Sequence, residues 1–131
     1  MIVFVNGCFD VLHRGHFGLI EYASNLGDTL IIALDSDEKV SKDKGSDRPI
    51  YPLQDRVYQM SRIKGVDVVH TFNTRLELES LIDAIRPDIL VVGSDWKGKE
   101  VVGAQYAKEV KFYDRVGEYS TTKTLQGVAY R

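Results

Sequence analysis

Cys8 is the only cysteine in the chain, so no internal disulfide can form. Such usage suits a reducing compartment, and a cytoplasmic location is expected. No apolar run approaches the roughly 18 residues that a membrane-spanning helix needs, so no membrane partner is expected. Charge of one sign is also scarce. The formal net charge is −2, which leaves no electrostatic footprint for nucleic acid. A local basic pocket for a small polyphosphate remains compatible with that balance. Met1 runs directly into a strand-like stretch with a polar turn at Asn6-Gly7, so no leader pattern is expected. Internal repeats and low-complexity tracts are lacking too.

What is present is ordinary for a globular protein: 131 residues, 44% apolar and 27% charged. One domain spanning 1–131 is expected. Ile2-Val3-Phe4-Val5 reads as a buried strand. Leu19, Ile20, Ala23 and Leu26 then recur at helical spacing, with Gly27 as a stop, so a helix is expected over 15–26. Leu30 to Leu34 is a second continuous apolar strand. Strand, helix and strand in so short a span form a βαβ unit with parallel strands.

The segment from Asp35 to Pro52 is polar. A short helix starts after Ser36, and the remainder, through Gly45 and Pro49, reads as a long loop. Pro52 opens a helix with the apolar stripe Leu53, Val57, Met60 and Ile63. Further strands are expected at 66–70, 89–92 and 110–113. Helices are expected around Leu78 to Ile85 and, more weakly, over 99–109. Ser120 is a good N-cap for a last helix carrying Leu125, Val128 and Ala129. The expected fold is α/β: a Rossmann-like, doubly wound, parallel five-stranded sheet with helices on both faces. In such sheets ligands sit beyond the carboxyl ends of the strands. Segments 6–16, 35–48, 93–99 and 114–123 should therefore converge.

The first of these holds the chemistry. An apolar strand leads through Gly7 into His13-Arg14-Gly15-His16 at a helix start. Unpaired N–H groups and the helix dipole favour phosphate there. The histidines add donors that are charged or neutral near pH 7. A metal site using Cys8, His13 and His16 is the weaker reading, because there is no second cysteine and His70 falls on another strand. Cys8 reads as a small packed residue rather than a nucleophile. Asp10 is either a metal ligand or a loop holder that accepts backbone N–H bonds. Lys42, Lys44 and Arg48 either clamp phosphates or form a solvated charged loop. Arg56 either reaches back to the site or makes a surface pair. Trp96 either stacks on a base or sugar or covers the core. Ser120 and Thr121 open either an anion site or an ordinary helix cap.

Taken together, Gly7-Cys8-Phe9-Asp10-Val11-Leu12-His13-Arg14-Gly15-His16, Ser36-Asp37, Arg56, Gly93-Ser94-Asp95-Trp96 and Ser120-Thr121-Thr122-Lys123 resemble the HxGH cytidylyltransferase-like nucleotidyltransferases. The resemblance covers nearly the whole chain. Asn6 to Asp10, Lys44-Gly45 before Arg48-Pro49, Pro87-Asp88 and Glu100 to Gly103 look like the adenylyltransferase domain of ADP-heptose synthases. Gly93 to Lys99, and Arg115 with Ser120 to Lys123, look like glycerol-3-phosphate cytidylyltransferase. The heptose-like matches are more numerous. Two segments depart from the patterns. Gly93-Ser94-Asp95-Trp96 stands where the heptose enzymes carry Gly-Gly-Asp-Tyr, and in Arg115 to Tyr119 the usual Glu-before-Gly order is reversed.

The resemblance implies transfer of a nucleoside monophosphate from a triphosphate to a sugar or polyol phosphate, with release of pyrophosphate. ATP with heptose 1-phosphate is the leading reading and CTP with glycerol 3-phosphate the alternative. A non-catalytic nucleotide-binding module is the alternative of another class. His13, His16 and Lys44 are implied as catalytic. Gly7, Cys8, Phe9, Gly15, Gly93, Asp95, Arg115, Ser120 and Thr121 are implied as nucleotide-binding. Asp10, Lys42, Arg56 and Trp96 are implied for the acceptor or its phosphate. Mg²⁺ is implied as bridged by substrate phosphates rather than held by the protein alone, and a homodimer is the implied assembly.

Overall fold

The computed structural model describes residues 1–130. Its centre is β1 (Ile2–Gly7), whose Val3, Phe4 and Val5 are all buried. A strand apolar on both faces needs a layer of helices on each. The strands β2 (Thr29–Asp35), β3 (Val68–Phe72), β4 (Ile89–Gly93) and β5 (Glu109–Tyr113) join it in the order β3-β2-β1-β4-β5. Every pairing is parallel. Val3 lies beside Leu30 on one side and Ile89 on the other, and Phe4 lies between Ile31 and Leu90. This is the doubly wound, Rossmann-like sheet expected from the sequence.

Strand alternation sorts the core into two layers. Val3, Val5, Leu30, Ile32 and Ile89 face Ile20 and Ala23 of α1 (Arg14–Ser24) and Met60 of α3 (Leu53–Met60). Phe4, Ile31, Ala33 and Leu90 face Leu78 and Ile82 of α4 (Arg75–Ile85). No helix is long and apolar enough to cross a membrane among the described residues.

Three local expectations change, while the short helix expected after Ser36 forms as α2 (Asp37–Lys44). The Ser36 hydroxyl caps it by accepting from the Lys39 N–H at 3.1 Å. Asp37 and Glu38 in its first turn and Lys42 and Lys44 in its last suit the helix dipole. With Val40 its only buried residue, the helix shows almost no apolar stripe. Between 99 and 109 only a 3₁₀ turn, Ala104–Tyr106, forms. Gly103 precedes it at φ 81°, where an added Cβ would clash with the Ile82 Cδ1. The third strand starts two residues late, because Asp67 turns its carboxylate to the Leu30 N–H at 2.8 Å. The last helix, α5 (Thr121–Leu125), stops early, and Leu125 and Val128 are exposed rather than packed.

Candidate active site

His13 is the N-cap of α1 and His16 lies in its first turn. The Gly15 N–H donates to the His13 Nδ1 at 3.0 Å, and the His13 N–H donates to the His16 Nδ1 at 3.2 Å. Two imidazoles thus take the places that serine and glutamate fill in an ordinary capping box. A nitrogen that accepts an N–H bond carries no proton, so each ring holds its proton on Nε2. The rings stack with centroids 3.9 Å apart. Burial lowers the His16 pKa to about 3, and the neighbouring His13, Lys44 and Arg115 charges push the same way. Burial and Arg115 also lower His13. The pair is therefore neutral near pH 7, and both residues line one cleft. Gly15 is required by the same geometry, since a Cβ there would meet the His13 Cε1 at 2.8 Å.

The loop that delivers these histidines is strained. Phe9 and Val11 have φ of 49° and 53°, a region that costs a non-glycine residue about 1–3 kcal/mol and persists only where contacts enforce it. They are enforced from both sides. Arg56 donates to the Cys8 carbonyl at 3.0 Å. The Thr121 hydroxyl donates to the Asp10 carbonyl at 2.7 Å and leans towards that of Val11 at 3.2 Å. The Asp10 carboxylate accepts from the Ile50 and Tyr51 N–H groups at 2.7 and 3.0 Å.

These bonds correct several expected roles. Arg56 is buried, and its guanidinium also donates to the Asp35 and Tyr51 carbonyls and to Asp37. It holds the loop rather than a substrate phosphate. Asp10 is buried and engaged as a loop holder, so it is not an acceptor ligand. Phe9 packs in the core layer under α1. Neither it nor Cys8 lines the cleft. Burial raises the Cys8 thiol pKa, which keeps it protonated and a poor nucleophile. The Thr121 hydroxyl has spent its proton on the loop, leaving its backbone N–H for a ligand. Lys42 is exposed and is not among the residues that line the cleft, whereas Lys44 is.

The cleft itself encloses about 720 Å³ at the carboxyl ends of the strands. Its floor is Gly7, His13, Gly15 and His16. Lys44 and Arg48, from the chain that follows β2, form one wall. Gly93, Asp95, Trp96, Arg115 and Ser120, from the chain that follows β4 and β5, form the other. Three cations and one carboxylate thus line a pocket in a chain of net negative charge. That balance of charge suits an anion. The Ser120 hydroxyl oxygen accepts from the Lys123 N–H at 3.0 Å and keeps its own proton to give.

Sequence reasoning did not single out Tyr113 and Tyr119, which also line the cleft. Tyr119 lies parallel to the His13 ring with centroids 6.5 Å apart. Its position directly before Ser120 was the available signal. Among the described residues, no three His, Cys, Asp or Glu side chains gather as a metal-ligand group, so Cys8, His13 and His16 do not form one.

A family model described as cytidylyltransferase-like matches residues 4–125. The bifunctional protein HldE of Nitratiruptor sp. is 49% identical over 125 residues, which cover 95% of this chain and 27% of that protein. Its counterpart in Sulfurimonas denitrificans is 44% identical over 97% of this chain and 26% of its own length. The chain thus spans about a quarter of the length of the curated relatives it matches. Among solved structures, the lipopolysaccharide core biosynthesis protein from Thermoplasma volcanium superposes with a TM-score of 0.69 at 24% identity, over 92% of this chain and 98% of that one. Pantothenate synthetase from Thermus thermophilus superposes with a TM-score of 0.65 at 15% identity, over 94% of this chain and 60% of that one. At these identities the two structures speak for the fold alone.

Proposed function

We propose a reaction for this chain from one premise: it belongs to the cytidylyltransferase-like family, a family of nucleotidyltransferases. The reaction is transfer of AMP from ATP to a sugar 1-phosphate of the heptose class, with release of pyrophosphate. The observation that carries it is the neutral histidine pair, which presents two Nε2–H donors at a helix start inside a cationic cleft. The choice of ATP and heptose 1-phosphate is supported by the resemblance to ADP-heptose synthase adenylyltransferase domains and by the HldE relatives at 44–49% identity. We assign residues 1–131 to one nucleotidyltransferase domain.

In this reading an acceptor phosphate oxygen attacks the α-phosphorus. A new P–O bond forms as the bond to the bridging oxygen breaks, and the electron pair leaves on pyrophosphate. No side chain is required as a nucleophile. The protein aligns two anions and stabilises charge as it shifts between phosphoryl oxygens. His13 and His16 donate to the α- and β-phosphate oxygens. Neutral imidazoles held on backbone donors need little reorganisation as charge develops. Lys44 and Arg115 neutralise the chain of phosphates from opposite walls. Ser120 gives its hydroxyl proton, and Thr121 its N–H, to the β- and γ-phosphates. Trp96 covers the mouth of the cleft.

A divalent ion, which we take to be Mg²⁺, fits a donor set in which Asp95 is the one carboxylate lining the cleft. Phosphate oxygens would supply most of its ligands. Its chemistry, when bound, is charge neutralisation on the leaving pyrophosphate.

Pyrophosphate release from ATP and CTP, each paired with heptose 1-phosphate and glycerol 3-phosphate, tests the reading. The ATP and heptose 1-phosphate pair is expected to be the fastest. Preference for CTP and glycerol 3-phosphate would establish the second reading, which Asp95-Trp96 favours by sequence. Nucleotide binding with no release from any pair would leave a binding module.

A further inference from the structure

Arg48 is a guanidinium whose one internal partner is an ion pair without a hydrogen bond. Its backbone is pinned: the N–H donates to the Gly45 carbonyl at 3.1 Å, and the carbonyl accepts from the Ser41 hydroxyl. Its side chain is 12% exposed. Its Nε is buried without a hydrogen-bond partner, the only such buried side-chain atom among the described residues. That same Nε lies 3.5 Å from the Asp10 Oδ2, its one ion-pair partner among the described residues, whose carboxylate already accepts from Ile50 and Tyr51. Asp10 thus compensates the charge of Arg48 without using its donors. Arg48 lines the cleft, so a ligand can reach it.

The position of Arg48 says which ligand. The strand order places β2 and β4 on opposite sides of β1. Arg48 follows β2, while Arg115 and Ser120 follow β5 on the far wall. Displacement at phosphorus is in line, so the attacking oxygen and the leaving pyrophosphate lie on opposite sides of the α-phosphorus. With the β- and γ-phosphates at Ser120 and Arg115, the acceptor comes from the wall of Arg48. A planar fork matches two oxygens of a phosphomonoester better than a lysine point charge does.

We propose that Arg48 is the receptor for the phosphate of the acceptor substrate, distinct from the cations that hold the triphosphate. The proposal rests on the nucleotidyl-transfer reading for the orientation of the two substrates. It deepens that reading by giving the phosphomonoester its own receptor, on the wall that Arg48 shares with Lys44.

Trp96 is the only tryptophan and lines the same cleft, so its fluorescence reports binding without turnover. Wild type, Arg48→Ala and Arg48→Lys are first titrated with the α,β-methylene analogues of ATP and CTP. With the tighter analogue saturating, each protein is then titrated with heptose 1-phosphate, glycerol 3-phosphate and inorganic phosphate. Arg48→Ala is expected to weaken phosphomonoester binding on the order of 10- to 100-fold and leave the analogue within about threefold. Arg48→Lys keeps a cation beside Asp10, and so the fold, but loses the fork, and is expected to fall between. Equal weakening of analogue and phosphomonoester would move Arg48 to the triphosphate and overturn the proposal. Unchanged phosphomonoester binding in both variants, or none in wild type, would do the same. A wild type that binds both ligands yet releases no pyrophosphate would defeat the reaction reading alone, and the Arg48 comparison would still be decided.

Discussion

Thr121 and Asp10 stand 111 positions apart in the chain, yet the Thr121 hydroxyl donates to the Asp10 carbonyl at 2.7 Å. Through Asp10 the two walls of the cleft meet. Its carbonyl takes the start of α5, and its carboxylate takes the amides that follow Arg48 and Pro49. A residue that looked like a ligand is instead the joint that sets the distance between the walls.

That joint can be tested at Thr121. Thr121→Val keeps the shape and removes the donor, leaving the carbonyls of Asp10 and Val11 without it. Stability is expected to fall by about 1–3 kcal/mol, read as a lower urea midpoint, and kcat should fall with it. Thr121→Ser restores the hydroxyl and should recover most of both. An unchanged midpoint in Thr121→Val would show that the contact does not hold the loop.

Arg56 is the second support. It donates to three carbonyls and one carboxylate from four segments of the chain. Arg56→Leu is expected to cost about 1–3 kcal/mol, the scale for leaving buried carbonyls without their donor. Lysine cannot reproduce the fork, so Arg56→Lys should also lower the unfolding midpoint. A normal midpoint with weakened substrate binding would return Arg56 to a ligand role.

The histidine pair predicts a pH dependence of stability. The pKa of His16 is about 3 in the folded chain, against an ordinary value of 6.5. As pH falls, the unfolded chain takes up the proton first. The contribution of the neutral ring is therefore full above about pH 6.5 and is lost towards pH 3, at about 1.4 kcal/mol per pH unit. The thermal midpoint should drop from pH 7 to pH 5, and His16→Gln should flatten that slope. In the free protein, NMR of the His16 ring should show no titration between pH 8 and pH 5. A titration near pH 6.5 would contradict the stacked, neutral arrangement.

For the reaction itself, His16→Ala is expected to lower kcat by ~10²-fold or more, the scale for a lost transition-state donor. The KM for the triphosphate should change much less. Activity within a few fold of wild type would remove His16 from the proposed mechanism.

The sequence by itself determined the sheet and the place of the site. Continuous apolar runs such as Val3-Phe4-Val5 fit a buried parallel strand, and a glycine turn before His13-Arg14-Gly15-His16 marks a helix start suited to anions. Both signals are local, carried by neighbouring residues. The length of the helix after Ser36 was not legible, because one buried residue, Val40, leaves almost no periodic stripe. Which charged residues face the ligand was not legible either. Asp10, Arg48 and Arg56 read alike in the chain, as polar residues near a loop. Only the tertiary structure separates them. Asp10 and Arg56 spend most of their bonds on backbone groups 21 to 48 positions away, while the Arg48 Nε makes no hydrogen bond. Hydrogen-bond capacity is finite, and its partners come from distant parts of the chain. Whether a polar side chain serves the fold or the substrate is therefore decided in space.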